Sequence, residues 1–127
     1  MKLSLILLDQ TFTLHRLAAD SDIPANALNS YFIGMTRTDD ELSLVLPSQV
    51  EIDSDKSEPG WACLKVEGPL DLGLVGVLAG ISSALAQAGV AIFALSTFDT
   101  DYVLVKREQV EAAKDALVGK GYSVNES

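Results

Sequence analysis

Two aspartates, Asp99 and Asp101, stand two residues apart in the stretch Ser96-Thr97-Phe98-Asp99-Thr100-Asp101-Tyr102-Val103-Leu104-Val105. Acids at that spacing can be a solvated turn, a catalytic or metal-binding pair, or one wall of a pocket for a cation. Turn composition accounts for Asp99 readily and for Asp101 less so. A calcium-type site needs about six to eight oxygens, and the local sequence offers two carboxylates. An acid beside Thr97 and Phe98 would pair with a ligand ammonium or guanidinium while the aromatic ring covers its apolar part. Upstream, Gly68-Pro69-Leu70-Asp71 reads as a loop running into a helix, whose first N–H groups suit a carboxylate. A cation binder beside an anion binder describes a site for a zwitterion, and an amino acid is the simplest one.

Other chemistry has little to stand on. There is no Gly-rich phosphate loop, no Cys or His pair at metal spacing, and no H-E-x-x-H or EF-hand pattern, so neither a metal nor a cofactor is expected. His15 is the only histidine. It lies in a strand of alternating character without a partner motif, and a surface or satisfied ring is the simpler reading than a general base. A serine nucleophile would need that histidine or a lysine in a recognisable arrangement, and none is present. Catalysis is not expected.

Charge and composition narrow the partners. Eighteen acids against nine bases leave 127 residues with a formal charge of -9, and the bases are scattered, so nucleic acid and anionic membrane surfaces are unfavourable partners. One cysteine, Cys63, sits in an apolar run and has no intrachain partner, which fits a small buried hydrophobe in a reducing, cytoplasmic setting. The opening MKLSLILLDQ reads as a strand rather than a signal peptide, since no small-residue cleavage site follows its apolar run. Leu72 to Phe98 is free of charge, but its serines, glycines, acidic flanks and changing period argue against a membrane span.

The elements that would position the two acids fall in the C-terminal half. Ala62 to Glu67 reads as a strand, and Gly68 to Asp71 as a turn with Asp71 the N-cap of a helix running from about 72 to Ala88 and ending at Gly89. Leu74, Leu78, Ile81 and Leu85 give that helix an apolar face, flanked by the small residues Gly76, Gly80 and Ala84. Val90 to Ser96 and Tyr102 to Lys106 read as a hairpin, Glu108 to Lys120 as a helix, and Tyr122 to Asn125 as a last strand. The order β-α-β-β-α-β is ferredoxin-like, an antiparallel sheet covered by two helices.

The N-terminal half repeats this in part. Leu3 to Leu8 and Phe12 to Leu17 read as one hairpin, and Tyr31 to Met35 and Leu42 to Leu46 as another around Thr38 to Glu41. Between them, residues 18–30 are too short and too broken by Pro24 for a long helix. Asp53 to Gly60 reads as a linker or an exposed loop. The division is therefore a degenerate module at 1–60 and a complete one at 61–127, an α+β chain of two ferredoxin-like modules in tandem.

Glu67-Gly68-Pro69-Leu70-Asp71, Gly76-Val77-Leu78-Ala79, Leu85-Ala86-Gln87-Ala88-Gly89-Val90 and the Ser96 to Val105 stretch together resemble the ACT-domain branch that includes the cytosolic arginine sensors of the animal TOR pathway and small bacterial tandem-ACT proteins. The resemblance covers about residues 62–124. It implies ACT modules that bind amino acids or similar effectors between modules and perform no chemistry themselves. Two modules in a homodimer would supply the four that the arginine sensors carry in one chain. Residue by residue, it implies that Gly68, Pro69, Leu70 and Asp71 line the site, that Gly76 permits close approach, and that Thr97, Phe98 and Asp101 hold the ligand's side-chain end, with Asp99 at a variable position. Where the arginine sensors carry a further acid in the first helical turn, this chain has Leu72, Gly73 and Leu74, so arginine is not specified. The alternative expectation is an interaction module that dimerises through the same fold without a small-molecule ligand.

Overall fold

The structure, a computed structural model, describes residues 3–70 and 74–127. It divides into two compact units, one formed by residues 1–9 with 62–127 and the other by residues 10–61. The units meet at 61/62, and the first strand belongs with the C-terminal one. The pairing of β1 (Ser4–Leu7) is the reason. It lies antiparallel to the second half of β5 (Lys56–Val66), with Leu5 opposite Val66, and parallel to β8 (Ser123–Glu126), with Leu5 opposite Val124. Leu5 is fully buried among Leu64, Val66 and Leu117 in the core of that unit.

In that unit the chain continues from β5 through α2 (Val77–Gln87), β6 (Ile92–Ser96), β7 (Asp101–Lys106), a 3₁₀ turn at Arg107–Gln109, α3 (Val110–Gly119) and β8. The strand order is β6-β7-β5-β1-β8. This is the βαββαβ arrangement with β1 inserted between its first and last strands. Ile81, Ala84 and Leu85 of α2 and Ala113 and Leu117 of α3 pack into the core with β5 and β7. Their 3.6-residue spacing gives each helix one apolar stripe.

Helix α2 starts five residues later than the expected position 72. Gly76 occupies its N-cap with φ +83, a left-handed backbone that a right-handed helix cannot include, and no side chain caps it. Asp71, the expected N-cap, lies outside the described residues. Leu74 consequently precedes the helix and is partly exposed, while Ile81 and Leu85 carry the buried face. Gly76 has no atom within 4 Å of where a Cβ would sit, so its backbone conformation is the constraint and not close approach. Gly80 is the small residue that admits a neighbour, since a Cβ there would meet Tyr122 Oη at 2.5 Å.

The other unit contains β2 (Phe12–Leu17), the single-turn helix α1 (Ala25–Leu28), β3 (Gly34–Arg37), β4 (Leu42–Pro47) and the first half of β5. Its sheet order is β3-β4-β2-β5, all antiparallel, the strand order of a ferredoxin-like sheet, with no helix among the described residues between β4 and β5. The β3–β4 hairpin forms around Thr38 to Glu41. The hairpin expected over residues 3–17 does not describe the pairing: β2 takes β4 and β5 as neighbours, and β1 takes β5 and β8. The expected linker at 53–60 is partly strand, because β5 begins at Lys56. Between Phe12↔Trp61 and Leu14↔Glu58 the register slips by one residue at Pro59-Gly60. Proline has no ladder donor and Gly60 takes φ +82, the two features a bulge accommodates. Among the described residues no helix is long and apolar enough to cross a membrane.

Candidate functional site

The β6–β7 turn is built by two threonines. The Thr97 N–H donates to the Thr100 carbonyl at 2.8 Å, and the Thr100 N–H donates to Thr97 Oγ1 at 3.2 Å, closing a compact four-residue connection. Thr100 is buried, and its hydroxyl donates to the Val66 carbonyl at 2.6 Å. The tip is thereby tied to the end of β5. A second tie joins it to the following loop, where the Leu70 N–H donates to the Asp99 carbonyl at 2.7 Å. Gly68 sits under this junction: a Cβ on it would stand 3.1 Å from the Asp99 carbonyl oxygen and 3.3 Å from Thr100 Cβ.

Two shallow hollows flank the junction. One, of about 220 Å³, is lined by Leu70, Leu74, Val77 and residues 96–101. The other, of about 230 Å³, is lined by Lys65, Gly68, Pro69, Thr97, Asp99, Thr100 and Tyr102. Of the expected site residues, Leu70, Thr97, Phe98 and Asp101 meet in the first, and Gly68, Pro69 and Thr97 in the second. Asp71 lies outside the described residues, and Gly76 lines neither hollow. Asp99 and Asp101 both face the first hollow, but they are held differently. Asp101 is half-buried and accepts a 2.6 Å hydrogen bond from Ser96 Oγ on Oδ1, whereas Asp99 is exposed and contributes its backbone carbonyl as the anchor.

Sequence reasoning missed two residues. Thr100 reads as a turn filler between two acids, yet its hydroxyl is what fixes the tip; the Thr-x-x-Thr spacing, which suits side-chain-to-backbone bonding in turns, is the signal for it. Lys65 projects from β5 into the second hollow with its Nζ 6.0 Å from the Tyr102 ring centre, a cation beside the loop where only helix N–H groups were expected to meet a carboxylate. Nothing in a lone strand lysine marks it in the sequence. Replacing Thr100 by Val removes the donor to Val66 at constant volume and should lower unfolding free energy by about 1–3 kcal/mol in urea melts, with Thr100→Ser retaining most of it. Among the described residues no group of three or more His, Cys, Asp or Glu could hold a metal ion.

The βαββαβ order, the two packed helices and the junction of the loop after β5 with a hairpin tip define an ACT-type unit, and residues 56–118 match the ACT-domain family model ACT_7. Residues 10–55 match a second family model, described as an N-terminal domain. The crystal structure of protein Atu0741 from Agobacterium tumefaciens is 36% identical to this chain with a TM-score of 0.90, and the alignment covers 100% of this chain and 95% of that one. The chain belongs to the family of that Agobacterium protein, and it carries an ACT domain. Two more distant structures share the fold. A Vibrio cholerae protein, VC0802, described as of unknown function and a possible transport protein, is 20% identical with a TM-score of 0.70 over 93% of this chain and 89% of its own. The ligand-free regulatory subunit of aspartate kinase from Thermus thermophilus is 16% identical with a TM-score of 0.66 over 94% of this chain and 97% of its own. No curated protein matches the chain.

Proposed function

We propose that the protein is a non-catalytic, cytoplasmic regulator that binds an amino acid or similar small zwitterion where the ACT modules of two copies meet. The observation that carries this reading is the pairing of opposite charges around one fixed junction: Asp101 in one hollow, Lys65 in the adjoining one, and Thr97, Asp99 and Thr100 common to both. An ammonium would pair with Asp101 and a carboxylate with Lys65, each as a charge-assisted hydrogen bond. Phe98, which lines the first hollow, is 78% exposed, an apolar rim that a second copy would cover. Residues 10–61, with the strand order of a ferredoxin-like sheet, are read as a reduced second module, so a homodimer would present four. The fold shared with an aspartate kinase regulatory subunit supports a regulatory role.

The competing reading, a module that dimerises without a ligand, is favoured by volume, since hollows of about 220 and 230 Å³ fall below the roughly 300–1,000 Å³ of ordinary ligand sites. A thermal-shift screen of the twenty amino acids at millimolar concentration separates the two. Ligand at a hundred times its Kd adds about 2.7 kcal/mol to folding stability. The shift should vanish in Asp101→Ala. Dimers that ignore every amino acid would leave the second reading standing.

A further inference from the structure

A cavity of about 710 Å³ lies in the other unit. It opens over β2, whose alternation turns Thr13 and His15 to the same face, and it is lined by Pro24, Asn26, Ser48 and residues 50–53. His15 is 8% exposed. Its Nδ1 is 2.9 Å from Ser54 Oγ, while its Nε2 is buried without a hydrogen-bond partner among the described residues. Leaving a buried polar atom so is unfavourable, and a ligand that supplied its partner would recover much of that cost.

The remaining polar groups share one character. The Thr13 and Ser48 hydroxyls are 2.9 Å apart, so one hydroxyl hydrogen is spent between them and lone pairs remain on both. Asn26 commits one amide N–H to the Glu51 carbonyl at 2.5 Å, which leaves its second N–H as a donor and its Oδ1 as an acceptor. Glu51 and Asp53 add exposed carboxylates, and no lysine or arginine lines the cavity. The His15–Ser54 contact suits either neutral tautomer; in the one whose Nδ1–H donates to Ser54 Oγ, His15 Nε2 is an acceptor as well. Acceptors outnumber donors throughout, and Pro24, Val50 and Ile52 supply an apolar wall.

We infer that this cavity binds a short aliphatic diamine, one nitrogen donating to His15 Nε2 and the Thr13–Ser48 hydroxyls, the other paired with Glu51 or Asp53, and the methylenes lying on Val50 and Ile52. A protonated amine is donor-only and answers an acceptor-rich wall, whereas a carboxylate or phosphate would meet two acids and no base. The cavity volume falls within the ordinary range for small-molecule sites, about 300–1,000 Å³.

Because the chain has one histidine, its imidazole nitrogens can be followed without ambiguity in a ¹H–¹⁵N NMR titration with 1,4-diaminobutane. The Nε2 signal should move saturably, and 1-aminobutane should bind more weakly. Glu51→Gln and Asp53→Asn, both at exposed positions, should each raise Kd by about two- to fivefold, the worth of exposed ion pairs. Asp101→Ala should leave the titration unchanged, which keeps the outcome separate from that of the amino-acid site. An Nε2 signal that stays put at millimolar diamine, an unchanged Kd in the Glu51→Gln/Asp53→Asn double variant, or loss of the response in Asp101→Ala would each overturn the inference.

Discussion

Cys63 should be alkylated about a thousandfold more slowly in the native protein at pH 8 than in urea-unfolded chain. The thiol is fully buried in β5, and burial pushes it up from its ordinary 9.0 to about 12. At pH 8 the reactive thiolate is then about 0.01% of the folded protein and about 10% of the unfolded chain, which gives the ratio before any steric shielding is counted. With no part of Cys63 exposed, the thiol is reached only through local opening of the structure around β5. Iodoacetamide reaction followed by mass spectrometry checks this, and equal rates in the two states would refute the burial. Linkage adds a consequence for stability. A raised thiol favours the folded state below pH 9 and loses that advantage as pH climbs toward 12, at a slope approaching about 1.4 kcal/mol per pH unit. Burial lowers His15 in the opposite sense, so its contribution is present above 6.5 and declines as pH falls below that value.

What the sequence disclosed depended on how local the deciding contact is. The β6–β7 hairpin and the helix over 110–119 are written in short-range period and turn composition, and they form within a residue or two of expectation. β1 and β2 misled because their sequences are strand-like and adjacent, while the partners of β1 lie more than fifty residues away; Leu5 opposite Val66 and Val124 is information that no local window contains. The start of α2 misled for another reason. Asp71 is a good N-cap residue, but Gly76 turns the backbone left-handed five positions on, and the helix begins where that turn ends. Polarity misled at 53–60, where exposed Lys56 to Glu58 belong to a strand whose ladder partners in β2 are invisible from composition.

The site was legible in its two segments and not in its fastening. The meeting of residues 68–70 with 97–101 follows from a βαββ unit in which the loop after the first strand and the hairpin tip share one end of the sheet. Which atoms join them does not follow. The Asp99 carbonyl, the Thr100 hydroxyl and Lys65 act through backbone position and strand facing, neither of which residue type encodes. The His15 cavity was missed for the same reason, its walls being drawn from three segments each unremarkable alone.

The sharpest expected effect on folding concerns the first nine residues. A chain of residues 61–127, which the sequence presents as a complete module, should not fold by itself. In it β5 and β8 would lose the strand that lies between them, both ladders of β1 would be unmade, and the fully buried Leu5 would leave a hole beside Leu64 and Leu117. Burying one leucine contributes about 1.5–3 kcal/mol, and a core of this size rarely supplies more than about 3–5 kcal/mol, so losing Leu5 with the partly buried Leu3 and Leu7 removes most of the stability available. The same geometry supplies the repair. β1 and β5 run antiparallel with Leu7 opposite Leu64, which brings Asp9 opposite Ala62. Joining Asp9 to Ala62 through an Asn-Gly turn in place of residues 10–61 would convert β1 and the second half of β5 into a two-residue hairpin. That shortened chain should show a cooperative urea transition and near-ultraviolet dichroism from its tyrosines, while 61–127 shows neither until a peptide of residues 1–9 is added. If 61–127 folded unaided with full cooperativity, β1 would be an accessory to the ACT unit; if neither chain folded, residues 10–61 would be required to hold it.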